Sequence, residues 1–270
     1  MKLLSLIQRI KADSKFAKKK KLTIIDDLET FKTFLKLKSY YKFPIEKIFT
    51  NSRIDLDKLQ IDIHFGNFKN DIEFIEEETL KKILNIDNPQ ICVLIRIPEN
   101  IYNYSDNFVD SLKEDGICII LDSIQNPWNL GGILRTNSAF NIFNVILLGN
   151  SVFPLNPRVI RASKGYVFEQ NIKIFNTNEL KEILSNLEEE IEVFFLENKE
   201  PSENINDLEL TQKISFFILG NEEIGINKEV KEIFKKSKSI KIKVRIESLN
   251  VFATHSILAF SLSKNRGFFK

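Results

Sequence analysis

Cysteine and histidine are scarce in this sequence, with two of each among 270 residues. The cysteines, Cys92 and Cys118, lie within the apolar runs ICVLI and ICIIL. Such positions are typical of small core residues in a reducing compartment, and they argue against a disulfide bond. Because zinc sites are built mostly from cysteine and histidine, this composition also argues against a zinc site, and no metal is expected.

Long hydrophobic runs are missing as well, although 43% of the residues are hydrophobic. No apolar stretch reaches the length that spans a membrane, and residues 1–21 are too polar for a signal peptide. We therefore expect a cytoplasmic protein without a membrane partner. The sequence also lacks the Gly-x-Ser-x-Gly pattern of many hydrolases and the Gly-x-Gly-x-x-Gly pattern of dinucleotide-binding enzymes, which argues against both classes.

Charge is almost balanced overall, with a net value of +2, but it is unevenly distributed. The basic residues before residue 22 are Lys2, Arg9, Lys11, Lys15 and Lys18 to Lys21, and Asp13 is the one acidic residue there. A basic arm of this kind suits a phosphate backbone, from which it releases counterions. A solvated helix end without a partner has the same pattern. The sequence leaves both interpretations open.

Short apolar runs predict strands along the whole chain, and amphipathic segments between them predict helices. In residues 1–98 this alternation predicts a small α/β domain, and the polar segment 99–116 is typical of a linker. From residue 117 the apolar runs are nearly continuous, as in strands buried on both faces of a parallel sheet. The sequence therefore predicts a second, larger α/β domain at residues 117–270.

The segment LDSIQNPWNLGGILRT, residues 121–136, joins a predicted strand to a helix. Asn129 suits the N-cap of that helix, and Gly131 and Gly132 in its first turn indicate that another group packs closely there. Arg135 follows Gly131 by four residues and should share its face. The pattern suits an anion site at a helix start. An ordinary capped helix with a solvated arginine is the commoner alternative.

The segment FFILGNEEIGI, residues 216–226, runs from a predicted buried strand into an acidic loop between glycines. The adjacent carboxylates Glu222 and Glu223 suit hydrogen bonding to ribose hydroxyls or proton transfer. A plain turn with a charged tip has the same pattern and is more common.

The segment IKIKVRIESLNV, residues 240–251, begins with a predicted strand at residues 240–244. Ser248 suits the N-cap of the last predicted helix, and Asn250 falls in its first turn. Taken alone, this segment does not indicate a function.

Together the three segments resemble the signature motifs of the SpoU branch of the SPOUT RNA methyltransferases, in the same order and at fitting spacing. The first motif is matched by Asn129, Leu130, Gly131, Arg135 and Thr136. The second is matched by Leu219, Gly220, Glu222 and Gly225, and the third by Ser248, Leu249, Asn250 and Val251. The stretch RASKG, residues 161–165, resembles a further family segment. The resemblance extends from about residue 116 to the C-terminus.

The sequence also departs from the family pattern. The third motif usually opens with Ile-Pro-Met and carries a glycine four residues before its serine, whereas Lys241, Ile242 and Val244 stand at those positions here. Phe252 replaces a residue that is usually small, and Asn141 stands where a glycine is frequent. If the loop requires a positive φ at Val244, the β-carbon would weaken cofactor binding.

The resemblance implies a fold and an assembly. The family's catalytic domain is an α/β domain with a mostly parallel sheet and a deep trefoil knot, which general topology rules would not predict. A small α/β ribosomal-protein-like domain, here residues 1–98, precedes it and binds the RNA substrate. The family's active enzymes are homodimers.

The resemblance also implies a reaction, in which a methyl group passes from S-adenosylmethionine to a ribose 2′-hydroxyl of ribosomal or transfer RNA. The family's cofactor contacts fall on Gly220, Ile240 and Leu249. Its catalytic residues correspond to Arg135, Asn129, Glu222 and Asn250. Because a guanidinium stays protonated, we expect Arg135 to hold an RNA phosphate and stabilise the developing alkoxide. An inactive SpoU-like RNA-binding protein is the alternative that the altered third motif leaves open.

Overall fold

The computed structural model describes residues 2–51, 72–103, 105–185, 187, 191–211 and 213–265. It divides into two compact units. We call Met1–Ile101 together with Phe153–Glu169 the N unit, and Tyr102–Val152 together with Gln170–Lys270 the C unit. Among the described residues, no helix is long and apolar enough to span a membrane.

Among its described residues, the N unit contains a four-stranded sheet and, before residue 101, four α-helices. The helices are α1 (Lys2–Ala12), α2 (Ser14–Lys20), α3 (Leu28–Lys36) and α4 (Glu77–Leu84). The strands are β1 (Leu22–Ile25), β2 (Ile45–Thr50), β3 (Ile72–Phe74) and β4 (Ile91–Arg96). Their order in the sheet is β1-β4-β2-β3, and the β2–β3 pair is parallel whereas the other two pairs are antiparallel.

The basic segment at the start of the chain forms α1 and α2 and is therefore not an extended arm. Ile7, Ile10 and Ala17 from these helices are buried in a cluster with residues of β1, β2, β4 and α4. The buried positions have helical spacing, which brings them to one face and directs the lysines of α2 outward. The side chains of Lys15 and Lys18 to Lys21 are exposed.

In the C unit, the residues that the structure describes form a seven-stranded sheet in which every pair of neighbouring strands is parallel. The elements before residue 150 are α5 (Asp106–Asp115), β5 (Ile117–Asp122), α6 (Pro127–Ala139) and β6 (Asn144–Leu148). The later strands are β7 (Asn171–Ile174), β8 (Ile191–Leu196), β9 (Glu203–Asn204), β10 (Ile214–Leu219) and β11 (Ser237–Lys241). The later helices are α8 (Thr177–Ser185), α9 (Lys228–Ile233) and α10 (Val251–Asn265), and α7 (Pro157–Ala162) belongs to the N unit.

The strand order of the C unit is β7-β6-β5-β10-β8-β11-β9. Every residue of β5 and β10 is buried, as expected for central strands that are covered on both faces. The predicted α/β fold with a mostly parallel sheet is confirmed. Central parallel strands direct their carboxyl ends to one edge of the sheet, where ligands of open α/β sheets bind.

The segment predicted as a linker contains helix α5. Phe108 and Leu112, four residues apart, are buried in the core of the C unit. Gly116 ends the helix with φ of +68° and donates its N–H to the Leu112 carbonyl, which is a common helix termination. The polar composition of this segment reflects the charged residues on the exposed face of α5, which outnumber the apolar pair that packs, and its role as a linker between functional domains stays a prediction.

The RASKG stretch, in residues 153–169, packs within the N unit. The Arg161 guanidinium pairs with the buried Asp26 carboxylate at 2.7 Å, and Lys11 Nζ lies 3.0 Å from the same carboxylate. The Phe168 ring meets the Phe34 ring edge to face at 4.9 Å between centroids. Each compact unit therefore consists of two separate segments of the chain. The predicted functional domains, with boundaries at residues 98 and 117, stay a prediction.

Candidate active site

Helix α6 begins earlier than the sequence predicts, at Pro127 rather than near Leu130. Asn126 is its N-cap, since Asn126 Oδ1 accepts a hydrogen bond from the Trp128 N–H at 2.9 Å. Pro127 occupies the first helical position, where its missing N–H has no cost. The prediction that Asn129 caps the helix is therefore wrong, and the Asn-Pro pair was the signal that pointed to the true start. Asn129 is instead buried within the first turns.

Asn129 connects all three sequence motifs through its side chain. Its Nδ2 donates to Glu222 Oε1, and its Oδ1 accepts a hydrogen bond from Asn250 Nδ2 at 3.2 Å. One carboxamide thus donates to the second motif and accepts from the third. Glu223, the neighbouring acid, is exposed and is not part of this chain of hydrogen bonds. We refer to Glu222, Asn129 and Asn250 as the polar relay.

The loop that carries Glu222 is closed on itself. Asn221 and Gly225 exchange main-chain hydrogen bonds of 3.1 and 2.9 Å. A β-carbon on Gly220 would overlap the carbonyl group of Gly225, and Gly225 has φ of +68°. Glycine is therefore required at 220 by close packing of the main chain, and it is favoured at 225 by the left-handed conformation.

The buried Asp122 carboxylate at the end of β5 anchors the same loop. It accepts hydrogen bonds from the Asn227 N–H at 2.7 Å, from Asn227 Nδ2 at 2.7 Å and from Ser123 Oγ at 3.0 Å. Asn221 Nδ2 donates to the Ser123 carbonyl at 3.0 Å. Sequence reasoning missed Asp122 and Asn227 as contributors, although an aspartate that ends an apolar strand is an available signal.

The third motif begins α10 differently from the prediction. Asn250 Oδ1 accepts from the Phe252 N–H at 2.9 Å, and the Asn250 carbonyl accepts from the Thr254 N–H at 2.9 Å. Asn250 therefore caps the helix, and the prediction for Ser248 is wrong, because an asparagine nearer the helix provides the same acceptor.

The strand that leads to the third motif also ends early, since β11 stops at Lys241 rather than at residue 244. Val244 is not among the residues with positive φ. The condition under which its β-carbon would cause strain is therefore not met in this structure. Asn141, by contrast, has φ of +53°, which explains why a glycine is suited to that position.

A cavity of about 230 Å³ lies at the carboxyl ends of β8, β10 and β11. Gly220, Ile240 and Leu249, the three predicted cofactor contacts, all line it, as does Glu222 of the polar relay. The cavity wall also includes Leu196, Glu197, Asn198, Val244 and Ser248. Apolar and hydrogen-bonding groups thus meet around one space, as in a small-molecule site.

Arg135 lies outside this cavity. It is exposed on α6, and among the described residues its guanidinium forms no hydrogen bond or ion pair. The structure thus brings Asn129, Glu222 and Asn250 together and leaves Arg135 available for a group that is not part of the chain.

His255 is buried between α10 and α6 and is not part of the polar relay. Its Nε2 lies 2.7 Å from Asn137 Oδ1, and its Nδ1 has no partner among the described residues. Burial lowers the pKa of His255 to about 3, so the ring is neutral at physiological pH and cannot supply a positive charge to a substrate.

A model of the SpoU rRNA methylase family matches residues 116–260. The chain belongs to this family. An uncharacterized tRNA/rRNA methyltransferase of Mycoplasma genitalium is 28% identical over 216 residues, which cover 77% of this chain and 82% of the relative. A 23S rRNA (adenosine(1067)-2'-O)-methyltransferase of Streptomyces laurentii is 26% identical over 185 residues, 66% of each chain.

A solved structure has the same fold along the chain. It is the SpoU methyltransferase AviRb from Streptomyces viridochromogenes in complex with the cofactor AdoMet. The TM-score is 0.77 at 13% identity, and the alignment covers 98% of both chains. At this identity the likeness concerns the fold, and the family assignment rests on the sequence match.

Proposed function

We propose that this protein is an S-adenosylmethionine-dependent methyltransferase that modifies a ribose 2′-hydroxyl in ribosomal or transfer RNA. The observation that carries the proposal is the polar relay beside the cavity at the carboxyl ends of three parallel strands. Three motifs that are far apart in the sequence contribute to this one arrangement. The 2′-O-methyltransferase named among the relatives supports the same reaction.

The residues around the cavity fit S-adenosylmethionine. Leu196, Ile240 and Leu249 offer apolar surface for an adenine ring, and Glu197 and Asn198 offer polar atoms for hydroxyl and amino groups. We assign Gly220, Ile240 and Leu249 to cofactor binding. When bound, the cofactor supplies a methyl group on a sulfonium sulfur.

The protein must then activate a poor nucleophile. A ribose hydroxyl reacts when it is aligned with the methyl group and when loss of its proton is made easier. We assign Asn129, Glu222 and Asn250 to orienting the hydroxyl and the loops around it. We assign Arg135 to holding an RNA phosphate and stabilising negative charge on the 2′-oxygen, because its guanidinium is exposed and permanently charged.

Replacement of this arginine tests the reaction. Arg135→Ala should lower methyl transfer by about a hundredfold or more, the usual effect of removing one positioned charge-stabilising donor. Cofactor affinity, measured by calorimetry, should stay unchanged because Arg135 does not line the cavity. Lys181→Ala, which removes an exposed charge from α8, is the control. Activity of Arg135→Ala within about threefold of wild type would contradict the assigned role.

We further propose that the N unit contributes RNA affinity through the exposed lysines at the end of α2. Replacing Lys18 to Lys21 by glutamine should flatten the dependence of log affinity on log salt concentration, by up to about 0.7 for each single-strand phosphate that these lysines neutralise in the wild-type complex. Filter binding of ribosomal RNA across a salt series measures this slope. An unchanged slope would show that these lysines face solvent in the complex.

The enzyme is proposed to act as a homodimer. Ile257 and Phe260 of α10 are exposed, at 38% and 44% of their surface, and a helix with apolar residues on all sides is usually covered. Sedimentation at micromolar concentration should therefore give the mass of two chains. The trefoil knot and the cytoplasmic location stay predictions.

A further inference from the structure

An exposed tryptophan directly precedes Asn129 of the polar relay in the sequence. Trp128 is the only tryptophan of the chain, and 57% of its surface is exposed. It precedes Asn129 in the first turn of α6, and no other described ring stacks on it. A large aromatic side chain that stays exposed beside a proposed active site indicates a binding surface more than it indicates the core.

Trp128 shares one face of α6 with the exposed arginine. Residues four and seven positions after Trp128 are Gly132 and Arg135, which lie on the same side of the helix. With a rise of about 1.5 Å for each residue, Trp128 and Arg135 are separated by about 10 Å along the helix axis. This spacing suits the base of one nucleotide and a phosphate of the same strand.

A second aromatic ring covers the glycine between them. A β-carbon on Gly132 would lie 2.9 Å from Cδ2 of Phe252, so the Phe252 ring occupies the space that a side chain at 132 would fill. Phe252 follows the capping residue Asn250 closely and is 38% exposed. The aromatic residue at 252 and the glycine at 132 therefore form a matched pair that adds apolar surface beside the Trp128 face.

We propose that Trp128 stacks on an unpaired base of the RNA next to the methylated nucleotide, with Phe252 extending the surface and Arg135 holding the phosphate. The inference rests on the proposed function and specifies its substrate as RNA whose target lies in a loop, a bulge or another unpaired segment. Bases in an A-form duplex are stacked on one another and offer no free face. Stacking on aromatic side chains is tolerant of base identity, so this surface selects for unpaired structure.

The single tryptophan allows a direct test with the full-length protein. A short oligoadenylate, added in the presence of S-adenosylhomocysteine, should quench tryptophan emission, and every change must report on Trp128. The duplex of the same oligoadenylate with oligouridylate should quench little at equal occupancy, which fluorescence anisotropy of a labelled strand measures. Equal quenching by both ligands at equal occupancy would overturn the proposal.

Variants of Trp128 test whether its ring stacks on a base or only supports the structure of α6. Trp128→Ala should weaken oligoadenylate binding by about tenfold, whereas Trp128→Phe should retain most of the affinity because it keeps an aromatic face. Asn178→Ala is the control, since it removes an exposed side chain from α8 of the C unit, and it should bind like wild type. Equal affinity of Trp128→Ala and wild type would overturn the inference.

Two further measurements test whether a second copy of the chain covers Trp128 and whether the protein binds the cofactor at all. If a second copy of this chain covers Trp128, emission without RNA should shift to shorter wavelength as the protein concentration rises, and that result would overturn the base-stacking proposal. Calorimetry with S-adenosylmethionine tests the underlying function separately. Absence of cofactor binding by the wild-type protein contradicts the proposed reaction, whereas the quenching experiment still decides whether Trp128 contacts unpaired RNA.

Discussion

Two loops line the same cavity of the C unit, and they are held in different ways. The loop at residues 220–227 is closed by main-chain hydrogen bonds and anchored to the buried Asp122. The loop at residues 242–249 is contacted by Asn198 Nδ2, which donates to the Glu247 carbonyl at 3.1 Å, and most of its residues are exposed. The departures from the family pattern at Ile242 and Val244 fall in the second loop. These two departures therefore lie where packing leaves the main chain more freedom.

The largest effect is expected in the tightly packed loop. Gly220→Ala places a methyl group where the Gly225 main chain lies, well inside van der Waals distance. Because neither main-chain segment can move without breaking the Asn221–Gly225 hydrogen bonds, we expect S-adenosylmethionine affinity to fall by more than about a hundredfold, as a displacement costing about 3 kcal/mol would cause. Calorimetric titration measures this fall, and circular dichroism checks that the variant folds.

Gly225→Ala is the matched control for this loop. A β-carbon on Gly225 would meet nothing within 4 Å, so the variant has only the strain of a left-handed conformation. That strain is of order 1–3 kcal/mol for a non-glycine residue, and cofactor affinity should fall less than in Gly220→Ala. If the affinity falls equally in the two variants, close packing is not the reason for the glycine at 220.

An intermediate effect is expected at Asp122, which anchors the loop at residues 220–227. Asp122→Ala removes the carboxylate that accepts from the N–H and the Nδ2 of Asn227 at a part-buried site, and it leaves Nδ2 only the Ser123 Oγ acceptor at 3.3 Å. An unsatisfied buried polar group costs about 1–3 kcal/mol, and the free energy of unfolding in a urea titration should fall by about that amount. Cofactor affinity should fall as well, because the loop that lines the cavity is no longer attached to β5.

Glu223→Ala is the control for Asp122→Ala, because it also removes a carboxylate. Its side chain is exposed in the same loop and does not line the cavity. It should therefore leave both the free energy of unfolding and the cofactor affinity near their wild-type values. An Asp122→Ala protein as stable as Glu223→Ala would show that the loop holds its conformation without the anchor.

Much of the fold could be predicted from local patterns. The residues of β5 and β10 are nearly all apolar, as in strands that are buried on both faces of a parallel sheet. The similar apolar run of β4 belongs to antiparallel pairs, so the run predicts a buried strand but not its direction. The packing of residues 153–169 within the N unit could not be predicted. The contact between Arg161 and Asp26 that contributes to it joins residues 135 positions apart, and single-sequence patterns carry no information on pairs so distant.

The candidate site was predictable in composition but not in its connections. The motifs identified Asn129, Glu222 and Asn250, yet the sequence assigned Asn129 a capping role that Asn126 fulfils. Residues that satisfy hydrogen bonds locally and residues that bond across the fold have the same chemistry, so the sequence does not separate them. The same limit explains why Asp122, whose partners lie across the sheet edge, was not recognised.

The smallest effect is expected at Val244, in the exposed loop at residues 242–249. It tests most directly whether this loop is held less firmly than the loop at residues 220–227. Val244 lines the cavity but does not have a positive φ, so a glycine at this position relieves no strain. Val244→Gly removes an apolar side chain and adds freedom to a loop that few contacts hold. These two changes are small, and S-adenosylmethionine affinity should stay within about threefold of wild type, or roughly 0.65 kcal/mol. Tighter binding by Val244→Gly, by tenfold or so, would show that the bound loop does need a left-handed residue at 244. In that case the exposed loop would be as constrained as the loop around Gly220, and the difference between the two would vanish once the cofactor is bound.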